Sequence, residues 1–178
     1  MANIYDFLKQ NSIRFQRFDH APVYTVAEAN QLKPPMPGRA TKNLFLKDKK
    51  GARHFLLVCE DAKTLDLKRL ASSMGVSHLS LASKERLAKY LGIEAGAVSL
   101  LALINDPGLH VEVLIDKDLW SVESMQCHPL VNTSTLVIPL EDVQVFIKAH
   151  ISGINCMVYL EGLNRSPAFP TRAFLVFD

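Results

Sequence analysis

Two apolar, β-rich runs lie close together in this chain, residues 40–47 ("ATKNLFLK") and 53–59 ("RHFLLVC"), with "DKKG" between them. Short apolar runs joined by a glycine-bearing polar turn read as a β-hairpin. A hairpin constrains a fold strongly, because side chains alternate along each strand and a slip of one residue would turn every apolar group to the wrong face. The first run also raises a chemical question. Lys42 and Asn43 stand directly before Leu44, Phe45 and Leu46, at the mouth of a strand that should be buried.

The remaining punctuation fits around that hairpin. Ile4, Phe7 and Leu8 recur at helical spacing, which predicts a helix over 3–11, and a strand-like stretch with Ile13, Phe15 and Phe18 follows. Thr25 and Glu28 form a T-x-x-E capping box that predicts a helix over about 26–32. "KPPMPG" at 33–38 ends it as a loop, rigid in its prolines and able to move at Gly38. Asp66 and Gly75 bracket a helix over 67–73, and Ser83 and Gly92 bracket another. Residues 77–81 suit a strand between them. "NDPG" at 105–108 is a turn, with strand "LHVEVLID" after it. "NTSTLVI" at 132–138 is a further strand, and Leu140, Val143, Phe146 and Ile147 predict a helix over 140–149. "AFLVF" at 173–177 suits an edge strand or a partner contact. Hairpins mixed with helices predict an α+β domain around a mixed, largely antiparallel sheet or partial barrel flanked by helices.

A chain of 178 residues suits one domain with a tail and buries enough surface to need no staples. Apolar residues are 48% and charged residues 21%, the balance of a soluble globular protein. No apolar run reaches the ~18 residues of a membrane span, and "MANIYDFLKQNSIRF" lacks the apolar stretch of a signal peptide. Cys59, Cys127 and Cys156 are odd in number and widely spaced, so they form no disulfide framework and suit a reducing cytoplasm. The net charge of +2 is too small to declare a nucleic-acid binder. Its distribution says more. Lys42, Lys47, Lys49, Lys50 and Arg53 crowd together, and Lys63, Lys68 and Arg69 follow. Sharing one face, they would attract phosphates; otherwise they are a solvated hairpin turn.

Familiar catalytic signatures are missing: no G-x-S-x-G elbow, no P-loop and no G-x-G-x-x-G. Metal spacing is weak, with only His110 and Glu112 sharing a strand face and Cys127 beside His128, so no metal is expected. A Cys127–His128 nucleophile pair is weak too, because neighbours on an extended chain face opposite ways. Three stretches remain: "TKNLFL" at 41–46, "GAVSLLALIND" at 96–106 and "CHPLVNTST" at 127–135. Gly96, Ala97 and Ser99 form a small-residue loop, where a backbone can approach a ligand and offer N–H groups to an oxyanion. His128 precedes Pro129, which biases it to extended geometry, and Asn132 opens a strand. Singly, these have ordinary readings: a surface lysine, a hydrogen-bonded histidine, a turn asparagine.

Together and in this order, "KNLFL" at 42–46, Gly96-x-Val98-Ser99, Asn105-Asp106 and His128-Pro129-Leu130-x-Asn132 resemble the YbaK/ProX family of prolyl-tRNA editing domains. The resemblance covers about residues 2–160, so the domain is set at 1–162 and residues 163–178 become a C-terminal extension. Within the family, the "KNLFL" and "HPLxN" pair looks most like the freestanding proteins that clear alanine from proline tRNA. Two departures stand out. Leu100, Leu101 and Ala102 replace the family's usual Pro-Phe-Gly before Leu103, adding a methyl at 102. "AHISGINCMVYLEG" replaces the usual closing helix, Gly-His pair and short strand.

The resemblance implies hydrolysis of the ester joining an amino acid to the terminal ribose of tRNA, without a cofactor. Lys42 would supply positive charge near the carbonyl oxygen or terminal phosphate, and backbone groups from Gly96 to Ser99 would cradle the carbonyl and place water. Lys42, Gly96 and Ser99 are thus the expected catalytic positions. Asn43, Val98, Ala102, His128 and Asn132 are the expected substrate contacts. Asn43 would fix the adenosine or α-amino group, and His128, supported by Asn132, would wall the amino-acid pocket. The implied partners are aminoacylated tRNA and prolyl-tRNA synthetase. The alternatives are a deacylase for serine, threonine or cysteine, a non-catalytic tRNA- or synthetase-binding module that lost hydrolysis through the altered loop, or a small-molecule binder unrelated to RNA.

Overall fold

The computed structural model describes residues 3–22 and 35–150, together with the backbone of 175–177. The helix expected over 26–32, the domain boundary near 162 and most of the C-terminal extension lie outside those residues.

The expected hairpin is the centre of the molecule. Strands β2 (Thr41–Asp48) and β3 (His54–Glu60) pair antiparallel from Thr41↔Glu60 to Lys47↔His54. The turn is closed by Asp48, whose carboxylate accepts from the backbone N–H groups of Ala52 (2.8 Å) and Arg53 (3.2 Å). Strand β4 (Leu79–Leu81) pairs antiparallel with the far side of β2. Strand β5 (Val111–Asp116) runs parallel to β3, and β8 (Leu175–Phe177) runs parallel to β5 as the edge strand that "AFLVF" predicts. The result is a five-stranded mixed sheet in the order β4-β2-β3-β5-β8. A second sheet of three antiparallel strands orders β1 (Gln16–Asp19), β7 (Ser134–Pro139) and β6 (Ser124–Cys127) as β1-β7-β6. The expectation of one sheet or partial barrel thus resolves into two sheets, not closed into a barrel.

Both sheets share a core because β3 is covered on both faces, which is why it reads as an unbroken apolar run rather than an alternating one. Leu56 and Val58 face the larger cluster, with Phe45, Leu91, Leu100, Leu103, Ile138 and Phe146. Phe55 and Leu57 face the smaller, with Leu46, Leu70 and Leu114. Helices α1 (Ile4–Gln10), α3 (Lys84–Leu91) and α4 (Leu140–His150) cover the first cluster, and α2 (Leu67–Ser73) covers the second. Their ends follow their capping residues. Asp66 accepts from Lys68 N and Arg69 N, Ser83 accepts from Arg86 N, and Gly92 ends α3 at φ 62°. Asn105 completes that end by donating to Leu91 O at 2.9 Å.

Three elements had no sequence forecast: β6, and the 3-10 helices Leu100–Asn105 and Lys117–Ser121. The first of these 3-10 helices is apolar all round because Leu100, Leu101, Ala102 and Leu103 are all buried, which removes the periodicity that marks a surface helix.

His54 ties the hairpin to α3. Its ring lies 4.2 Å from Tyr90 and 5.7 Å from Phe45, and its Nε2 meets Arg86 Nη1 at 2.7 Å. A guanidinium only donates, so Nε2 accepts and the neutral ring carries its proton on Nδ1. Burial, reinforced by the Arg86 charge, lowers the His54 pKa below the ordinary 6.5. The unfolded chain therefore takes up this proton at a higher pH than the folded chain. Stability from His54 is complete above the ordinary value and declines as pH falls through it towards the lower folded value. His150, also pushed down by burial, adds a loss of the same sign. Chemical denaturation at about pH 7 and about pH 5 should show weaker folding at the acid end, and His54→Phe should remove part, not all, of that difference.

Candidate functional site

The two sheets meet where β2 begins. Arg39 bridges Met125 in parallel, with Arg39 N donating to Ser124 O at 2.8 Å and Gln126 N to Arg39 O at 2.9 Å. One step further the backbone bond is replaced by a side chain, Thr41 Oγ1 donating to Gln126 O at 2.7 Å. The start of β2 and the end of β6 thus run side by side, with Lys42 following Thr41 and His128 following Cys127. The approach to this seam is fixed by Gln126, whose amide donates to Pro37 O (3.1 Å) and Gly38 O (3.2 Å). Gly38 is required there: its φ is 80°, and a Cβ would lie 2.7 Å from Ser124 Oγ. The expectation that the loop can move at Gly38 meets a held turn, its carbonyl accepting from Gln126.

Strand alternation separates the two residues that opened the question. Asn43 shares a face with Thr41 and Phe45, towards the larger core, whereas Lys42 shares one with Leu44 and Leu46. The Lys42 ammonium donates to two backbone carbonyls of the loop after β3, Asp61 O at 3.0 Å and Lys63 O. An ammonium has three donors, and no described residue takes the third. The carbonyl loop is itself pinned: Lys63 Nζ reaches Asp116 at 2.7 Å and Asp118 at 3.2 Å. Burial pulls the Lys63 pKa down, but its hydrogen bonds to Asp116 and Asp118, together with their charges, outweigh it and leave the value raised. On the other face, Asn43 Oδ1 is buried without a hydrogen-bond partner among the described residues. An unmet buried acceptor costs about 1–3 kcal/mol, which makes it a standing demand for a donor.

The His128 ring is half-buried and bonds Ser134 O through Nδ1 at 3.0 Å. A carbonyl only accepts, so Nδ1 carries the proton and Nε2 of neutral His128 is an acceptor. Facing it edge-on, 6.2 Å between ring centres, is His20, which sequence reasoning missed. His20 Nδ1 donates to Ala21 O (2.8 Å), which leaves Nε2 to accept from the Thr135 hydroxyl (2.9 Å). The signal for His20 was slight: one histidine at a strand end, followed by Ala-Pro.

The third motif lies deeper. Gly96 takes φ 94°, a region open to glycine, in the loop after Ile93. Ser99 is wholly buried, and its hydroxyl accepts from Leu101 N at 3.2 Å as the N-cap of the Leu100–Asn105 helix. Ala102 is wholly buried too, so an effect of its methyl on a pocket would pass through packing. Val98 and Leu130 pack half-buried against the cluster that holds Phe45 and Cys127, so all three motif stretches touch one core. Asn132 is half-buried in the β6–β7 loop. Among the described residues no group of three or more histidine, cysteine or acidic side chains could hold a metal, and no helix is long and apolar enough to cross a membrane.

Comparison with known proteins gives a consistent result. Residues 20–146 match the family model described as the aminoacyl-tRNA editing domain. The chain is 38% identical over 143 residues to the prolyl-tRNA editing protein ProX of Acetoanaerobium sticklandii, covering 80% of this chain and 87% of that protein. It is 34% identical to prolyl-tRNA synthetase associated domain-containing protein 1 of Danio rerio, covering 80% and 78%. The structure of a candidate trans-editing enzyme for prolyl tRNA synthetase superposes with TM-score 0.59 at 16% identity, covering 81% and 88%, a likeness of fold.

The described cysteines are unsuited to nucleophilic work. Burial raises the Cys59 thiol to about 11 and the Cys127 thiol to about 12. Since the thiolate is the reactive form, neither should be alkylated in the native protein at neutral pH, and both should be once it is unfolded. Peptide mass mapping after a timed alkylation reads this directly; rapid native labelling of Cys127 would reopen the Cys127–His128 pair.

Proposed function

This chain belongs to the aminoacyl-tRNA editing domain family, and from that premise we propose that it is a trans-editing hydrolase that cleaves the ester of mischarged aminoacyl-tRNA, foremost alanine on proline tRNA. The observation that carries the assignment of roles is the Lys42 ammonium, held near the start of β2 by two carbonyls of the loop after β3, its third N–H uncommitted among the described residues. A donor fixed in advance stabilises developing oxyanion charge without reorganising during reaction. Lys42 therefore takes the carbonyl oxygen of the ester or the terminal phosphate. The unmet Asn43 Oδ1 accepts from the substrate's α-ammonium or adenine amine. His128 and His20 form the wall of the amino-acid pocket, and Asn132 supports it from the β6–β7 loop. The Gly96–Ser99 backbone, braced by the buried Ser99 cap, orients the carbonyl and water.

Discrimination in this scheme is steric. A synthetase pocket cannot fully reject a substrate smaller than its own, whereas a second, smaller pocket excludes bulky proline and admits alanine. Prolyl-tRNA synthetase is the matching partner, and the cytoplasm the matching compartment.

Deacylation of tRNAs charged with alanine, serine, threonine, cysteine and proline tests the proposal. One small amino acid should be removed, and Lys42→Ala should lower kcat/KM by roughly 10²–10³ without loss of fold. Wild-type protein that binds tRNA but hydrolyses none of the panel would favour a binding module. Asn43→Leu gives a sharper signature: removing an unmet buried acceptor should leave stability equal or greater, while deacylation falls. Ala102→Gly should shift preference across the panel and cost about 0.5–1 kcal/mol of stability; an unchanged preference would make the methyl irrelevant to selection.

A further inference from the structure

The basic residues of the hairpin turn take no part in the site at Lys42, because β2 carries them to the other end of the sheet. From Lys42 to Asp48 is six residues of extended strand, roughly 20 Å at ~3.3 Å per residue. There the turn meets α3: Arg86 Nη1 donates to Gly51 O at 2.9 Å and touches His54 Nε2. That junction gathers two groups of cations that are far apart in sequence. Residues 47–51 and 84–91 hold six basic side chains (Lys47, Lys49, Lys50, Lys84, Arg86 and Lys89) against two acidic ones, Asp48 and Glu85. The difference of +4 exceeds the +2 of the whole chain, so the remainder is net negative. The gathering also shows in the environment of His54, where Arg86, Lys89 and Lys47 act against protonation and only Asp48 acts for it.

The two acids offset only part of the patch, which keeps a net +4. The Asp48 carboxylate is occupied by the turn's own N–H groups, which outweigh burial and hold its pKa below the ordinary value. Lys49, Lys50, Lys84 and Lys89 are exposed. An aromatic edge completes the surface. Lys89 Nζ lies 5.1 Å from the Tyr90 ring centre, and exposed His110 lies 6.0 Å beyond it. Clustered cations beside aromatic rings suit a phosphodiester backbone better than a small anion, since the charge is spread over several exposed side chains.

We propose that this turn–α3 surface is a second, sequence-independent docking site for the sugar–phosphate backbone of the tRNA, about 20 Å from the ester-cleaving end. The inference rests on the tRNA reading above and adds where the nucleic acid body lies. With the aminoacyl end at Lys42, the acceptor stem runs along the β2–β3 hairpin towards Lys49, Lys50 and Lys89. The lysines there act on capture of the substrate and not on the chemical step.

The test compares wild type with the triple variant Lys49→Glu, Lys50→Glu, Lys89→Glu, none of which lies in the reacting site. Steady-state deacylation of full-length charged tRNA should show KM raised at least tenfold with kcat unchanged. The slope of log(kcat/KM) against log salt should shrink by roughly 0.7–0.9 for each phosphate that the variant no longer neutralises. A short aminoacylated fragment of the tRNA 3′ end should be hydrolysed equally by both proteins. Unaltered KM and salt slope on full-length tRNA would overturn the inference, as would a defect seen only with the synthetase present, which would point to an acidic protein surface. Binding of uncharged tRNA is measured in parallel. Wild-type binding without hydrolysis, weakened in the variant, would sink the deacylase reading and uphold the docking surface; equal binding by both proteins would sink the docking surface.

Discussion

The seam between β2 and β6 is the interaction on which the rest depends. A two-stranded hairpin is marginal in water, and β2–β3 becomes a scaffold only when both of its faces are covered. The Arg39–Met125 bridge and the Thr41 hydroxyl bond to Gln126 O dock the three-stranded sheet against the start of β2. That docking closes the larger core over Phe45, Leu56 and Val58. It also places polar groups at a boundary between two sheets, where backbone ladders stop and donors and acceptors are left to side chains. Thr41 and Gln126 meet there because the backbone pairing between the two sheets stops at the Arg39–Met125 bridge.

Lys42 occupies an unusual electrostatic position for a strand residue. Its nearest partners are dipoles, the Asp61 and Lys63 carbonyls, and not a carboxylate. The buried acid in the neighbourhood, Asp116, is committed to Lys63. A carboxylate placed directly on Lys42 would neutralise it. Neutral carbonyls orient the ammonium and leave its charge available. The Asp116–Lys63 pair thus serves the lysine indirectly, by holding still the loop that bears the carbonyls.

Much of this was legible in the sequence, for local reasons. The hairpin, the caps at Asp66 and Ser83 and the glycine stop at Gly92 are each set by one residue's own chemistry, and each falls within a residue or two of its expected place. What escaped was non-local. β6 is four residues long and carries serine and glutamine, so it reads as loop; it is a strand because β7 pairs with it. Lys42 and Asn43 read as one adjacent pair, yet strand alternation turns their side chains to opposite faces of β2. His20 came into view only because β1 pairs with β7 and delivers it beside Thr135 and His128.

The Leu100–Leu101–Ala102 run is where fold and function pull on the same atoms. A Pro-Phe-Gly loop is stiff at its first residue and open at its last. Here the same positions wind into a 3-10 helix, capped by Ser99 and buried on every side. Stiffness that a proline ring would supply comes instead from core packing, with Leu100, Leu101 and Leu103 as anchors. The backbone N–H groups are then drawn into the helix: Leu101 N bonds Ser99 Oγ and Ala102 N bonds Ser99 O. Donors spent within the helix cannot also serve an oxyanion. In the proposed reaction any backbone cradle for the carbonyl would therefore come from the residues before Ser99, where Gly96 allows close approach, and Lys42 would carry more of the stabilisation of negative charge.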